Sequence, residues 1–250
     1  RANIHARYGT AAMPWFEWVG AQLALRPGQR VLEVGCGPGW LWEGMAASIP
    51  PGIDLVLSDL SPGMVAEAHD RVEATGAMAS VAARVADLTA LPFDDASFDR
   101  VIANHMLYHL PDPAAGVAEL ARVVRPGGRV VAATNGPGQM QPLWSIRAEV
   151  FGMSPIERTV EAFGRETGRP VLEGCFAEVR WEHYDDELHC TDVDDLVAYV
   201  CSSPPGEDAT PAELGALRAA IEAAMAAGDG VLRVTKDTGC FVAERPRGAR

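Results

Sequence analysis

Lysine is nearly missing from this chain: Lys236 is the one lysine among 21 Lys and Arg residues. That bias carries no mechanistic message. Cysteine is sparse too, and Cys36, Cys175, Cys190, Cys201 and Cys240 are odd in number, widely spaced and without a C-x-x-C pair, the pattern of reduced and mostly buried small side chains. No apolar run reaches the roughly 18 to 20 residues that a membrane helix needs. The stretch from Arg1 to Tyr8 lacks the apolar core of a signal peptide, and no block of like charge or low-complexity tract interrupts the chain. The expected location is the cytoplasm, with no membrane partner. Positive charge is also short: 34 acidic residues against 21 basic ones give a formal net charge of -13. Clustered cations that release counterions are what non-specific nucleic-acid binding relies on, so nucleic acid is not an expected partner.

What is present is an ordinary globular composition of 250 residues, 48% of them hydrophobic, sufficient for a large core. From Arg26 to Asn135 short apolar runs alternate with amphipathic stretches, the rhythm of repeated strand-helix units and a parallel sheet. Strands are expected at Arg30 to Val34, Leu55 to Ser58, Val81 to Ala86, Phe98 to Ala103 and Arg129 to Thr134. The second strand is followed by Ser61-Pro62-Gly63, which opens a helix with Ser as N-cap and Pro at the first helical position. Beyond Asn135 the rhythm breaks. Gln141 to Gly152 and Pro155 to Thr167 read as helices of an inserted cap, Ala177 to Leu188 as strand-like, Asp192 to Cys201 and Pro211 to Ala227 as helices. Val231 to Val234 and Cys240 to Ala243 form an expected final strand pair. The reading is one α/β domain: a Rossmann-like, doubly wound, mostly parallel sheet over about 26–135 and 229–245, with a helical cap from 1–25 and segments within 138–228.

The most informative stretch is Glu33-Val34-Gly35-Cys36-Gly37-Pro38-Gly39, a glycine-rich turn between a strand and a helix. Missing β-carbons let backbone N–H groups lie against a bound molecule. A dinucleotide fold wants its third glycine in the G-x-G-x-x-G slot, which here is Trp40, and a bulky indole there is expected to crowd the helix against the strand. Glu33, two residues before the first glycine, suits an ammonium group. Asp59 stands at the end of the second strand, where a carboxylate accepts both hydroxyls of a ribose. Asp87-Leu88 repeats the logic after the third strand, the acid for an exocyclic amine and Leu88 for a purine face.

On these residues, together with Ser58-Asp59-Leu60-Ser61-Pro62-Gly63-Met64, Leu91-Pro92-Phe93-Asp94-Asp95-Ala96-Ser97-Phe98-Asp99 and Leu120 to Gly128, the sequence resembles the class I S-adenosylmethionine-dependent methyltransferases, in particular the ubiquinone and menaquinone methyltransferase-like small-molecule branch. The resemblance covers roughly Pro27 to Asn135. It implies a seven-stranded sheet with an antiparallel last strand and S-adenosyl-L-methionine as cofactor. Glu33 and the loop residues Gly35, Cys36, Gly37 and Gly39 would hold the methionyl part, Asp59 the ribose, and Leu60 or Met64 the adenine. Asp87 and Leu88 would meet the adenine edge, Asn104 would offer its backbone carbonyl to the amino group, and Tyr8 would close over the methionyl end.

Methyl transfer from a sulfonium needs mainly an aligned, deprotonated acceptor. Asn104-His105-Met106-Leu107-Tyr108-His109 follows the fourth strand, and His109 is the first candidate general base, His105 the second. No metal is expected, because Met106 stands where H-E-x-x-H has glutamate and no third ligand is evident. Aromatics near the N-terminus, Trp15, Phe16 and Trp18 among them, and Trp144, Phe151, Phe163, Trp181 and Tyr184 of the insertion could roof an apolar acceptor pocket; by default they are core. Arg147, Arg158 and His183 could meet an anionic acceptor, but solvated surface is the favoured reading for them, and Asp185-Asp186-Glu187 reads as a solvated turn. The expected partner is a small, apolar or aromatic methyl acceptor, the protein acting as a monomer or homodimer. Two other classes compete: a protein that binds the cofactor without methylating, for example in assisting a cyclisation, and a nicotinamide oxidoreductase.

Overall fold

A computed structural model describes residues 4–246. The strands are β1 (Arg30–Val34), β2 (Asp54–Asp59), β3 (Ser80–Val85), β4 (Phe98–Asn104), β5 (Val124–Asn135), β6 (Phe176–His183), β7 (Glu187–Cys190), β8 (Leu232–Thr235) and β9 (Thr238–Pro246). They fall into two compact units.

The larger unit takes residues 13–136, 158–183 and the chain from Thr238 onward. Its seven-stranded sheet runs β3-β2-β1-β4-β5-β9-β6, with β9 antiparallel to both neighbours and β1 to β5 parallel. Helices cover both faces, so central strands are continuous apolar runs. Alternate residues divide between the faces. Leu32, Val34, Val101, Ala103, Val130 and Ala132 share one cluster with Val117 and Leu120 of the helix Pro113–Val123. Val31, Leu55, Leu57, Ile102 and Val131 share the other with Val19, Trp42, Ala68 and Val72. Full burial of each such aliphatic side chain contributes about 1.5–3 kcal/mol. The helix Pro62–Thr75 begins as its sequence dictates: Ser61 Oγ accepts from Met64 N at 3.4 Å, Pro62 opens the first turn, and Gly76, at φ 63°, ends it.

The smaller unit takes residues up to 12, 137–157 and 184–237. Here β7 and β8 pair antiparallel. The helices Leu143–Phe151, Val193–Val200 and Pro211–Ala227 bury Leu143, Trp144, Leu196, Leu217 and Ile221 in a cluster with Leu188 and Val234. A capping box starts the last of these helices, Thr210 accepting from Glu213 N while Glu213 Oε2 accepts from Thr210 N.

The chain departs from the sequence expectation in three places. The segments expected as a final strand pair do not pair with each other: β8 joins β7, and β9 inserts between β5 and β6. The stretch 158–183 belongs to the larger unit rather than to a cap, because β6 completes the sheet edge. The helix Trp15–Ala21 also lies in the larger unit, with Val19 fully buried in its core. No helix among the described residues is long and apolar enough to cross a membrane.

Candidate functional site

Parallel strands all end at one edge of the sheet, where the chain leaves regular pairing and its groups can turn to a ligand. There β1 delivers the loop 35–39. Gly35, Gly37 and Gly39 have φ of 61°, 52° and 82°, left-handed values that any β-carbon makes costly. Their purposes differ. A Cβ on Gly35 would lie 2.7 Å from Met106 Cγ, and one on Gly39 3.0 Å from Ala68 Cα. Those two glycines let the chain pack on itself. A Cβ on Gly37 would meet nothing within 4 Å, so the space beside this glycine is not taken by the described residues. Trp40, expected to crowd the helix against the strand, is instead 54% exposed. The tight contact is made one residue earlier, by Gly39 on Ala68.

Asp59 at the end of β2 braces this loop. Gly37 N donates to Asp59 Oδ2 at 3.0 Å and Ser61 N to Oδ1 at 2.9 Å. Each oxygen retains a lone pair for a further donor. Cys36 N donates to Ser58 O at 3.0 Å, and Arg71 Nε to Pro38 O at 2.8 Å, so backbone and side chain pin the turn from two sides. Burial pushes the Cys36 thiol up, which leaves it a packing group.

Glu33 lies one turn of the strand below the loop and is 2% exposed. Burial raises its carboxyl to about 8; the hydrogen bond from Trp42 partly opposes this, and the nearby charge of Asp59 adds to it. Burial thus favours the neutral carboxyl, and a cation beside it would favour the carboxylate.

Apolar surface borders the same edge. Leu60 is 70% exposed and Met64 39%, unusual for side chains flanking a strand end. Asp87 is exposed, and its Oδ1 accepts from both Thr89 N and Thr89 Oγ1 at 2.8 Å; these bonds hold its carboxyl below the usual range. Leu88 goes elsewhere. It is 5% exposed in the core cluster, so its side chain does not offer a face to a purine as the sequence reading had it, and only its backbone can serve. The Oδ1 of Asn104, at the end of β4, is buried with no hydrogen-bond partner.

Beyond Asn104 the chain bends through His105, which sits at φ 54°, a left-handed conformation that His tolerates better than most residues. Its ring lies 5.1 Å from Trp15 and 6.3 Å from Tyr108. Trp15 stacks on Trp18 at 5.4 Å, and Tyr108 meets His109 edge to face at 4.7 Å. The two candidate bases are thus joined in one ladder of rings, with His109 at the exposed end. Trp15, read from sequence as core, does pack against the core cluster and also carries this contact to His105.

Tyr8 belongs to the smaller unit. It is 8% exposed, and its hydroxyl donates to Asp195 Oδ2 at 2.7 Å; burial and that acid push its hydroxyl up to about 12. Asp186 of the same unit is no solvated turn residue. Its side chain is 5% exposed, accepts from Thr10 N and Ala11 N and pairs with Lys236 at 3.3 Å.

Residues 32–132 match the family described as methyltransferase domain. Over 109 residues the chain is 42% identical to malonyl-[acyl-carrier protein] O-methyltransferase of Hahella chejuensis, covering 42% of this chain and 36% of that protein. Over 143 residues it is 40% identical to demethylmenaquinone methyltransferase of Beutenbergia cavernae, covering 56% and 55%. The chain spans between about a third and a little over half of the length of these curated relatives. Among solved structures, the YcgJ protein of Bacillus subtilis superposes with a TM-score of 0.59 at 16% identity, covering 91% of this chain and 97% of that one. That likeness is one of fold.

Proposed function

We propose that this chain, whose residues 32–132 match a methyltransferase domain family, is a class I S-adenosylmethionine-dependent enzyme that transfers a methyl group from S-adenosyl-L-methionine to an oxygen, nitrogen or carbon of a small apolar or aromatic metabolite. The observation that carries the reading is Gly37: a left-handed glycine with open space where its Cβ would be, tied by its own N–H to the carboxylate of Asp59. The orphaned, buried Oδ1 of Asn104 and the cation-seeking Glu33 fit the same cofactor.

When bound, the cofactor supplies a methyl group already activated on a positive sulfur. Asp59 takes the ribose hydroxyls on its remaining lone pairs while the loop holds it still. Leu60 and Met64 shield the adenine, and the second oxygen of Asp87 accepts from the exocyclic amine. The ammonium goes to Glu33 and to Asn104, through its backbone carbonyl or the orphaned Oδ1. Binding there replaces a protonated, buried carboxyl with an ion pair, the proton leaving to solvent. His109 is the first choice to take a proton from the acceptor and His105 the second, both presented from the loop after β4. An acceptor that is already a free amine or a stabilised carbanion needs neither. The protein acts in the cytoplasm as a monomer or homodimer.

The test is mass spectrometry of the purified protein with methyl-labelled cofactor and a metabolite extract, searching for a labelled product one methyl heavier. Formation of S-adenosylhomocysteine in step with that product is the expected result. Binding of the cofactor with no methylated product from any acceptor class would turn the reading to the non-methylating alternative.

A further inference from the structure

The smaller unit contains an arginine that its own fold does not explain. Arg147, in the helix Leu143–Phe151, is 5% exposed, and its Nε is buried without an acceptor among the described residues. Three other described arginines of this unit each have a carboxylate: Arg7 with Asp195, Arg218 with Asp194 and Arg233 with Glu187. For Arg147 no carboxylate lies within ion-pair distance, and Glu157 acts on it only through its field. A guanidinium Nε cut off from water without an acceptor is costly, and an anion beside it would supply that acceptor.

A second orphan lies one turn back. Trp144 is 4% exposed and its indole Nε1 is likewise buried without an acceptor. The Arg147 guanidinium stacks 4.0 Å above the Trp144 ring, so the two unpaired N–H donors belong to one locus. On Trp144 in turn stacks Tyr199, with ring centroids 5.8 Å apart and planes 17° from parallel. The charge of the locus is single, because Lys236, the other buried cation of the unit, is taken by Asp186 at 3.3 Å.

We propose that Arg147 and Trp144 form a binding site for the carboxylate of a small molecule. A planar carboxylate matches the fork of a guanidinium and accepts an indole N–H as well. One unpaired positive charge balances a monoanion, whereas a phosphate dianion would leave a buried negative charge in excess. The inference rests on the proposed function in one respect, that the bound carboxylate compound is the methyl acceptor; the site itself does not depend on it.

The test uses the whole chain labelled with nitrogen-15, the Trp144 indole resonance being assigned from Trp144→Phe. Sodium benzoate, benzamide and inorganic phosphate are titrated at constant ionic strength, and S-adenosylhomocysteine affinity is measured in parallel. Benzoate is expected to shift the Trp144 indole signal saturably, and benzamide and phosphate to bind about tenfold or more weaker. Arg147→Gln is expected to weaken benzoate by a similar factor with S-adenosylhomocysteine affinity retained, and Arg147→Lys to recover part of it. Equal binding of benzamide, equal binding of phosphate, or no saturable shift with benzoate overturns the site. Should Arg147→Gln fail to fold, the comparison of the three probes on the unaltered chain decides by itself. Benzoate binding without S-adenosylhomocysteine binding would uphold the anion site and overturn the acceptor role, and the reverse pattern would overturn the site alone.

Discussion

The indole Nε1 of Trp42 donates a 2.7 Å hydrogen bond to Oε2 of Glu33, and both side chains are buried. The bond supplies a polar partner to an acid that burial otherwise isolates, and it favours the ionised form that a cationic ligand requires. Trp42 therefore acts on the candidate site through Glu33.

Glu33 makes stability depend on pH in a direction opposite to most carboxylates. Its carboxyl is raised from 4.5 to about 8, so between those values the folded chain keeps a proton that the unfolded chain has released. Stability then falls as pH rises through that window, and the full penalty is present above about 8. Glu33→Gln removes the titration. Denaturant unfolding of both proteins is expected to show Glu33→Gln gaining on the parent by on the order of a few kcal/mol between about pH 5 and pH 8. In the parent, S-adenosylhomocysteine binding below about pH 8 is expected to release a proton, seen by calorimetry in buffers of different ionisation enthalpy. Trp42→Phe removes a bond that lowers the Glu33 value, so its proton release is expected to persist to higher pH. Identical heats in all buffers would detach Glu33 from the ammonium.

The loop glycines separate folding from binding. Gly37→Ala places a methyl in open space at a left-handed φ, so it is expected to cost only about 1–2 kcal/mol of stability while abolishing measurable cofactor binding. Gly35→Ala meets the same φ and in addition the Met106 side chain, 2.7 Å away, and is expected to lose more stability. Thermal melts alongside calorimetry distinguish the two. Retained affinity in Gly37→Ala would mean that the space above this glycine is not where the cofactor lies.

Asp59 braces Gly37 and Ser61, and under the proposed function it also accepts the ribose. Asp59→Ala is expected to weaken S-adenosylhomocysteine by about tenfold to a hundredfold, the worth of a charge-assisted hydrogen bond. Asp59→Asn keeps one acceptor oxygen and is expected to fall between. Unchanged affinity in Asp59→Ala would remove this residue from the site.

The parts of the site that were legible in the sequence are those set by neighbours along the chain. The glycines of the loop 35–39, the Ser61 cap and the acids ending β2 and β3 all follow from local rules of turns, caps and strand ends. What depends on distant packing was not legible. The bond from Trp42 to Glu33 needs the burial of both, and the ring of Trp15 reaches His105 only because its helix docks on the sheet. The partner of β8 was misjudged because a four-residue apolar run fits any open edge, and the pairing with β7 is decided by tertiary contacts. Leu88 and Asp186 were misjudged for one reason: an apolar residue after a strand and an acid in a charged run show their burial only once the neighbouring elements are in place.

The ring ladder Trp18, Trp15, His105, Tyr108, His109 gives the two candidate bases different signatures. His109 lies at the exposed end, so His109→Ala is expected to leave S-adenosylhomocysteine affinity and melting temperature near the parent's. It is expected to lower turnover by about 10²-fold or more and to remove the acid limb of the pH-rate profile, the loss typical of a missing general base. His105 is held against Trp15 on a left-handed backbone, so Trp15→Leu disturbs the ring of His105 without touching that of His109. If His105 is the base, Trp15→Leu lowers turnover and shifts the acid limb, while His109→Ala leaves both alone. If proton removal is not part of the reaction, neither variant alters the limb, and the acceptor is one that enters the site already deprotonated.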